Sequence, residues 1–200
     1  MVKTIHEVLN TNLGAMELLD LCCTKRPLLD DGIQVINVCP GCDRRYRENY
    51  PNVTTISLWE ILAANDYIKL PDYQGQPMSI LDACPTRSEE RVHNAIRTLL
   101  SRMNIKLIEP AKTRTKSTCC GDSFYGKLPV EQVKTLMGRR AAEMPVNEVV
   151  VYCVSCVKSV FVGNRQPRYM VDLLWGEETL PQTYEPDAWH QELNEFIHKH

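Results

Sequence analysis

Five cysteines in the second half of the chain, drawn from three separate stretches, limit what it can fold into more than any other feature. They are Cys84, the adjacent pair Cys119 and Cys120, and the CxxC pair Cys153 and Cys156. Thiolates are soft ligands that suit zinc and iron–sulfur clusters. Five thiolates are one too many for a tetrahedral zinc ion. A polynuclear cluster therefore matches this set better, and the fold has to bring the three stretches together.

The composition predicts a cytoplasmic protein with reduced thiols. The chain has 200 residues and nine cysteines, an odd number that cannot pair completely into disulfides. The N-terminal stretch carries Glu7 and Glu17 and lacks the apolar run of a signal peptide. The longest apolar run, residues 149–162, contains Lys158 and is too short to span a bilayer. A net charge of −2 gives no sign of nucleic-acid binding.

Short apolar segments alternate with helical patterns along the chain, which predicts an α/β fold built from small, mainly parallel sheets flanked by helices. The predicted strands cover residues 33–38, 53–56, 78–81, 105–108, 149–152 and 169–171. Cys39, Cys84 and Cys153 each follow a predicted strand closely. Folds of this class place their ligand-binding sites at the carboxyl ends of the strands.

The first half of the chain repeats weakly in the second, which predicts a two-lobed internal duplication. The segment from Val35 to Cys42 aligns with the segment from Val149 to Cys156, so a strand and a CxxC motif recur. A second alignment places Ser57 on Asp172, with each residue capping a helix. We therefore expect a truncated N-terminal lobe at residues 1–70, a complete lobe at 78–180 and a helical tail at 181–200.

The two copies differ in their cysteines. Cys22 and Cys23 align with Leu136 and Met137, inside a predicted helix, and not with Cys119 and Cys120. No glycine follows them. The first lobe thus keeps only a CxxC motif.

The pattern of a lone cysteine, a Cys-Cys-Gly triplet ending at Gly121 and a final CxxC resembles the cysteine-rich CCG domain. This domain occurs in the cysteine-rich subunit of heterodisulfide reductase and in the iron–sulfur subunits of glycolate oxidase and lactate-utilisation proteins. The resemblance implies a noncubane [4Fe-4S] cluster and an oxidoreductase subunit that transfers electrons or reduces a disulfide. It implies a flavoprotein or ferredoxin-like partner and a disulfide or thiol substrate. By this resemblance, the ligands of the cluster in this chain would be Cys84, Cys119, Cys120, Cys153 and Cys156.

Within this resemblance, Gly121 would let the backbone approach the cluster closely. The family's disulfide cleavage uses two clusters, one in each lobe. The present chain matches the cysteine set of only one lobe, so we expect one cluster per chain.

The N-terminal pair Cys39 and Cys42 leaves three interpretations open. It can form a zinc or cluster site with Cys22 and Cys23, a thioredoxin-like redox pair, or a vestige of the lost cluster. The corresponding alternative functions are a zinc-stabilised binding scaffold without redox activity and a thiol–disulfide oxidoreductase that uses Cys39 and Cys42.

Local signals add further expectations. Two capping boxes are predicted, one from Ser57 to Glu60 and one from Thr86 to Glu89. The histidines are expected at the surface, among them His93 on its helix and His190 in the tail. In the tail helix, residues 187–200, the apolar side chains are expected to face inward: Trp189, Leu193, Phe196 and Ile197.

Overall fold

The computed structural model describes residues 2–14, 16–17 and 27–199. The strands are β1 (Gln34–Asn37), β2 (Thr54–Ser57), β3 (Pro77–Ile80), β4 (Lys106–Leu107), β5 (Glu148–Val151) and β6 (Gln166–Tyr169). The helices are α1 (Val2–Leu13), α2 (Pro40–Asn49), α3 (Leu58–Ala64), α4 (Glu90–Arg102), α5 (Val130–Ala142), α6 (Val154–Val162), α7 (Met170–Leu173) and α8 (Pro186–Lys199).

The fold is α/β with two parallel sheets flanked by helices, which confirms the predicted class. The first lobe holds the two-stranded sheet β1-β2, and the second holds a four-stranded sheet in the order β4-β3-β5-β6. All described strand pairs are parallel. Parallel strands need crossover connections, and helices supply them in both lobes.

Corresponding elements recur in the two lobes, as the repeat predicted. Cys39 is the N-cap of α2 and Cys153 is the N-cap of α6. The unit β1-α2-β2-α3 therefore matches the unit β5-α6-β6-α7 in element order. The first CxxC motif begins at the same structural position as the last one.

The second alignment of the repeat is wrong in detail. The last strand ends at Tyr169, which is the N-cap of α7, and Asp172 lies inside that helix. The structural counterpart of Ser57 is thus Tyr169. The segment from Arg168 to Val171 contains few turn residues, so its sequence does not show where the strand gives way to the helix.

One hydrophobic core joins the lobes. Trp59 and Leu62 of α3 pack in the same buried cluster as Leu99 of α4, Tyr152 and Met170. Val150 faces this cluster, whereas its neighbours Val149 and Val151 face a second cluster on the α5 and α6 side of the sheet. The four-stranded sheet is therefore covered on both faces, as parallel sheets usually are.

The structure confirms one local prediction and corrects two. Ser57 and Glu60 form the predicted capping box of α3, but α4 begins after Glu89 without a side-chain cap. Thr86 instead donates its hydroxyl to the carbonyl of Ala83. In the tail helix, Phe196 is 41% exposed and does not face inward.

Candidate thiol cluster site

The site lies where the strand order of the larger sheet reverses. From β3 the chain goes to β4 on one side and then returns to β5 on the other. The carboxyl ends of β3 and β5 are adjacent there, the usual position of a site in an open parallel sheet. Cys84 follows β3 and Cys153 follows β5. The loop between β4 and α5 brings Cys119 and Cys120 to the same edge.

The five cysteines of the second half lie near one another at this edge, and each thiol shifts the pKa of the next. Cys84 contacts Cys119, and Cys119 contacts Cys120. Cys120 in turn contacts Cys156, which contacts Cys153. Three segments that are far apart in sequence thus place five sulfur atoms in one site.

The N-terminal CxxC motif joins the same chain of thiols. Cys39 forms hydrogen bonds with Cys153 of the second lobe and with Cys42 of its own motif. No disulfide links any of the seven cysteines in the described ranges. The sequence did not indicate this contact between the lobes, because nothing in either CxxC motif specifies the relative position of α2 and α6.

Cys22 and Cys23 lie outside the described residues. Their predicted role at a second metal or redox site with Cys39 and Cys42 therefore stays a prediction. Among the described residues, Cys39 neighbours Cys153 and Cys42.

The hydrogen bonds divide the thiols into acceptors and donors. Cys39 accepts from Cys153 and Cys42, which lowers the pKa of Cys39 to about 2. Cys119 accepts from Cys120 and Cys84, and its pKa also falls well below the usual range. Both are therefore the preferred thiolates of the site.

Four other thiols have raised pKa values because they form hydrogen bonds with neighbouring thiols and are buried: Cys84, Cys120, Cys153 and Cys156. The hydrogen bond to Cys119 raises the pKa of Cys120 to about 12 and that of Cys84 further. Hydrogen bonds to Cys120 and Cys153, together with burial, raise the pKa of Cys156. Several of the thiols would thus release protons on binding a metal.

One backbone N–H group and one hydroxyl lie within hydrogen-bonding distance of the sulfur of Cys119. The N–H group of Gly121 donates to the sulfur at 3.3 Å. The hydroxyl of Ser123 lies 2.9 Å from the same sulfur. Such hydrogen bonds stabilise a thiolate and tune the potential of a sulfur-ligated centre.

Gly121 has a packing reason to be glycine. Its φ is +113°, and an added Cβ would lie 2.8 Å from Cγ and 3.0 Å from the backbone nitrogen of Met137 in α5. The loop that carries Cys119 and Cys120 therefore lies directly on α5. The predicted close approach of this backbone to a cluster is a separate expectation and stays a prediction.

A buried polar network holds two of the cysteine segments together, and sequence analysis assigned it no role. The carboxylate of Asp82 is fully buried and accepts two hydrogen bonds from Arg97, at 2.9 and 2.8 Å. It also accepts from the hydroxyl of Thr113, the N–H of Arg114 and the hydroxyl of Tyr152. In the sequence, the one sign of this network is a charged residue, Asp82, close after a buried strand.

This network holds in place the residues that precede two of the cysteine segments. Asp82 lies two residues before Cys84, and the loop from Thr113 leads to Cys119. The carbonyl of Asp82 also accepts a hydrogen bond from the hydroxyl of Ser117, at 2.5 Å. Burial opposes the charge, but the hydrogen bonds and charge of Arg97 outweigh it and lower the pKa of Asp82 to about 2.

Two histidines expected at the surface are packed instead. His93 is fully buried, and its Nε2 lies 3.1 Å from the hydroxyl of Thr86. His190 of α8 stacks on Tyr125 and pairs with Asp122 at 3.0 Å. The tail helix therefore packs on the loop that carries the Cys-Cys-Gly triplet.

The donor set has the chemistry that an iron–sulfur cluster requires, since all five predicted ligands are thiols and two of them, Cys120 and Cys156, are only 4% exposed. Among the described residues, no group of three or more His, Cys, Asp or Glu side chains is arranged around one point that a single metal ion could occupy. The fit thus rests on the sulfur chemistry and on the convergence of the three segments.

Comparison with protein-family models, with curated proteins and with solved structures finds no match to this chain. The resemblance to the CCG domain therefore stays a prediction carried by the cysteine pattern. Of the helices in the described ranges, none is long and apolar enough to cross a membrane.

Proposed function

We propose that this chain is an iron–sulfur redox protein that carries one [4Fe-4S] cluster of the noncubane type on Cys84, Cys119, Cys120, Cys153 and Cys156. The observation that carries the proposal is the convergence of these five thiols from three segments at the reversal point of a parallel sheet. A packed core needs no such convergence of soft ligands. The CCG-like order of the cysteines supports the same assignment.

When bound, the cluster would supply one-electron redox chemistry. The residues of the chain supply its environment. The buried positions of Cys120 and Cys156 exclude water from one side of the sulfur set. The N–H of Gly121 and the hydroxyl of Ser123 stabilise negative charge on Cys119. Cys153, at the N-cap of α6, has the favourable field of a helix N-terminus.

One cluster per chain fits this structure better than two. The described part of the first lobe contributes only Cys39 and Cys42, and both belong to the same chain of thiols as the other five. We therefore propose electron transfer or disulfide reduction in a reducing compartment such as the cytoplasm, with a flavoprotein or ferredoxin-like protein as the electron donor.

Ligand substitutions test the assignment. Cys84→Ser and Cys119→Ser, each purified anaerobically, should lose the visible thiolate-to-iron absorption and the paramagnetic resonance signal of the wild-type protein. Cys42→Ser, at the far end of the thiol chain, is the matched control and should keep both.

Retention of the full signals in both ligand variants would refute the ligand assignment. A wild-type protein that holds one zinc ion and no sulfide would instead support the alternative of a zinc-stabilised scaffold.

A further inference from the structure

The contact between Cys39 and Cys153 joins two equivalent positions in the two lobes. Each cysteine opens a CxxC motif, and each is the N-cap of the helix that follows a parallel strand. Their thiols are neighbours across the lobe boundary, since each shifts the pKa of the other. The second lobe provides all five proposed cluster ligands, whereas the first lobe provides a dithiol at the place that corresponds to Cys153 and Cys156.

The geometry of the first motif suits a reversible disulfide. Cys39 is the N-cap of α2, and Cys42 lies three residues later in its first turn. The two thiols are half-buried neighbours, and Cys42 lowers the pKa of Cys39. A CxxC motif at a helix N-terminus is the usual arrangement of a redox-active dithiol, since the helix terminus and the motif favour the thiolate that attacks a disulfide.

The dithiol is also open to a small molecule. Cys39 and Cys42 line a pocket of about 460 Å³. Its other walls include Leu9 of α1, Tyr46 of α2 and Leu58 of α3, so the pocket is mostly apolar. Its volume is within the range of small-ligand sites.

We propose that Cys39 and Cys42 form a redox-active dithiol that exchanges electrons with the metal centre across the contact between Cys39 and Cys153. This inference rests on the proposed function. The N-terminal CxxC motif is then neither a separate metal site nor a vestige. It is the thiol half of one composite redox site.

The dithiol would reduce a small disulfide in two exchange steps. A thiolate of the pair attacks one sulfur of a small disulfide, forms a mixed disulfide and releases one thiol of the substrate. The second cysteine then attacks the mixed disulfide, which releases the other thiol and leaves a disulfide between Cys39 and Cys42. That disulfide takes up two electrons and two protons to restore the dithiol. Cys39 and Cys42 would take these electrons from a low-potential flavin or ferredoxin-type donor, and a cluster on the five neighbouring cysteines would supply the one-electron relay.

Thiol trapping tests the disulfide directly. The full-length protein, purified anaerobically and assayed for iron and sulfide, is equilibrated in glutathione buffers of increasing potential, quenched with acid and alkylated. Both cysteines lie between Arg26 and Arg44, so one tryptic peptide reports the pair by mass. We expect this peptide to lose two hydrogens in the oxidising buffers, with the iron content unchanged.

Variants define the role of each partner. Cys42→Ser should keep iron and sulfide and should trap glutathione on Cys39. In the oxidised wild-type protein, photoreduction with a deazaflavin should reopen the disulfide, and in Cys84→Ser, which lacks the cluster, it should reopen at least tenfold more slowly.

The outcomes separate the two proposals. A wild-type protein without iron and sulfide overturns the proposed function and the coupling with it. A loaded protein whose Cys39 and Cys42 stay alkylated in every buffer overturns this inference alone. Loss of iron in Cys39→Ser, or equally fast reopening in Cys84→Ser, also overturns it.

Discussion

At the scale of single residues, Gly121 shows how the loop of the Cys-Cys-Gly triplet is held. An alanine there would combine a positive φ with a contact of 2.8 Å to Met137. Gly126 is the matched control, because its φ is also positive, at +73°, but nothing lies within 4 Å of an added Cβ. Gly121→Ala should therefore lower the free energy of unfolding by about 1–3 kcal/mol more than Gly126→Ala. Urea denaturation measures both, and equal losses would contradict the packing argument.

Asp82 is the residue on which the buried network depends. Asp82→Asn would leave the guanidinium of Arg97, which is 11% exposed, without its buried carboxylate partner. We expect a loss of roughly 3 kcal/mol in the free energy of unfolding. Glu109 also pairs with Arg97 but is 38% exposed, so Glu109→Gln should cost about 1 kcal/mol or less.

Chemical denaturation of the two variants under the same conditions compares these losses. If Asp82→Asn were no more destabilised than Glu109→Gln, the network would not hold the two cysteine segments as described.

His93 gives the protein a pH dependence. Burial lowers the pKa of His93 below its ordinary value. Asp82 opposes this shift, whereas the charges of Arg97 and Arg114 reinforce it. A histidine whose pKa is lowered in the folded state binds its proton more readily in the unfolded chain. Its contribution to the free energy of unfolding is therefore fully present above the unfolded pKa, about 6.5, and is lost as the pH falls below that value.

The free energy of unfolding should therefore decrease between pH 7.5 and pH 5.5 in the wild-type protein. His93→Gln should flatten this decrease, whatever its effect on stability at pH 7.5. An unchanged slope in the variant would show that His93 is not the responsible group.

At the scale of elements, the spacing of α5 and α6 is set by a glycine after α6. An added Cβ on Gly163 would lie 2.3 Å from the Cβ of Ala141 and 3.0 Å from the carbonyl oxygen of Met137. Because Met137 also contacts Gly121, the same helix face supports the triplet loop. Cys156 lies on α6, and the loop that carries Cys120 packs on α5 through Gly121.

Gly163→Ala should destabilise the protein by about 1–3 kcal/mol, since neither neighbour can move away freely. Gly138 within α5 is the control, because nothing lies within 4 Å of an added Cβ. Gly138→Ala should stabilise by up to about 1 kcal/mol through helix propensity. Thermal unfolding compares the two, and a stabilised Gly163→Ala would contradict the close packing of α5 on α6.

Most elements could be predicted because their signals are local. The valines of β5 and the capping box at Ser57 each act within a few residues. The prediction of a capping box at Thr86 was wrong, because the hydroxyl of Thr86 instead hydrogen-bonds the carbonyl of Ala83 and the hydroxyl of Tyr152 in the buried network. Tertiary contacts outweighed the local motif there.

At the scale of the whole molecule, the site depends on how the two lobes meet. The cysteine pattern alone pointed to five thiols of the second half, and the strand order explains why they converge. The contact of Cys39 with Cys153 and the packing of His190 on Asp122 could not be predicted. Both join segments whose relative placement is set by the shared core and not by any motif.

The metal content of anaerobically purified wild-type protein tests the central claim most directly. A noncubane [4Fe-4S] cluster on five cysteines predicts about four iron atoms and about four sulfides per chain, with absorption in the visible range. Fewer than about three iron atoms per chain, with no sulfide and no visible absorption, would contradict the account.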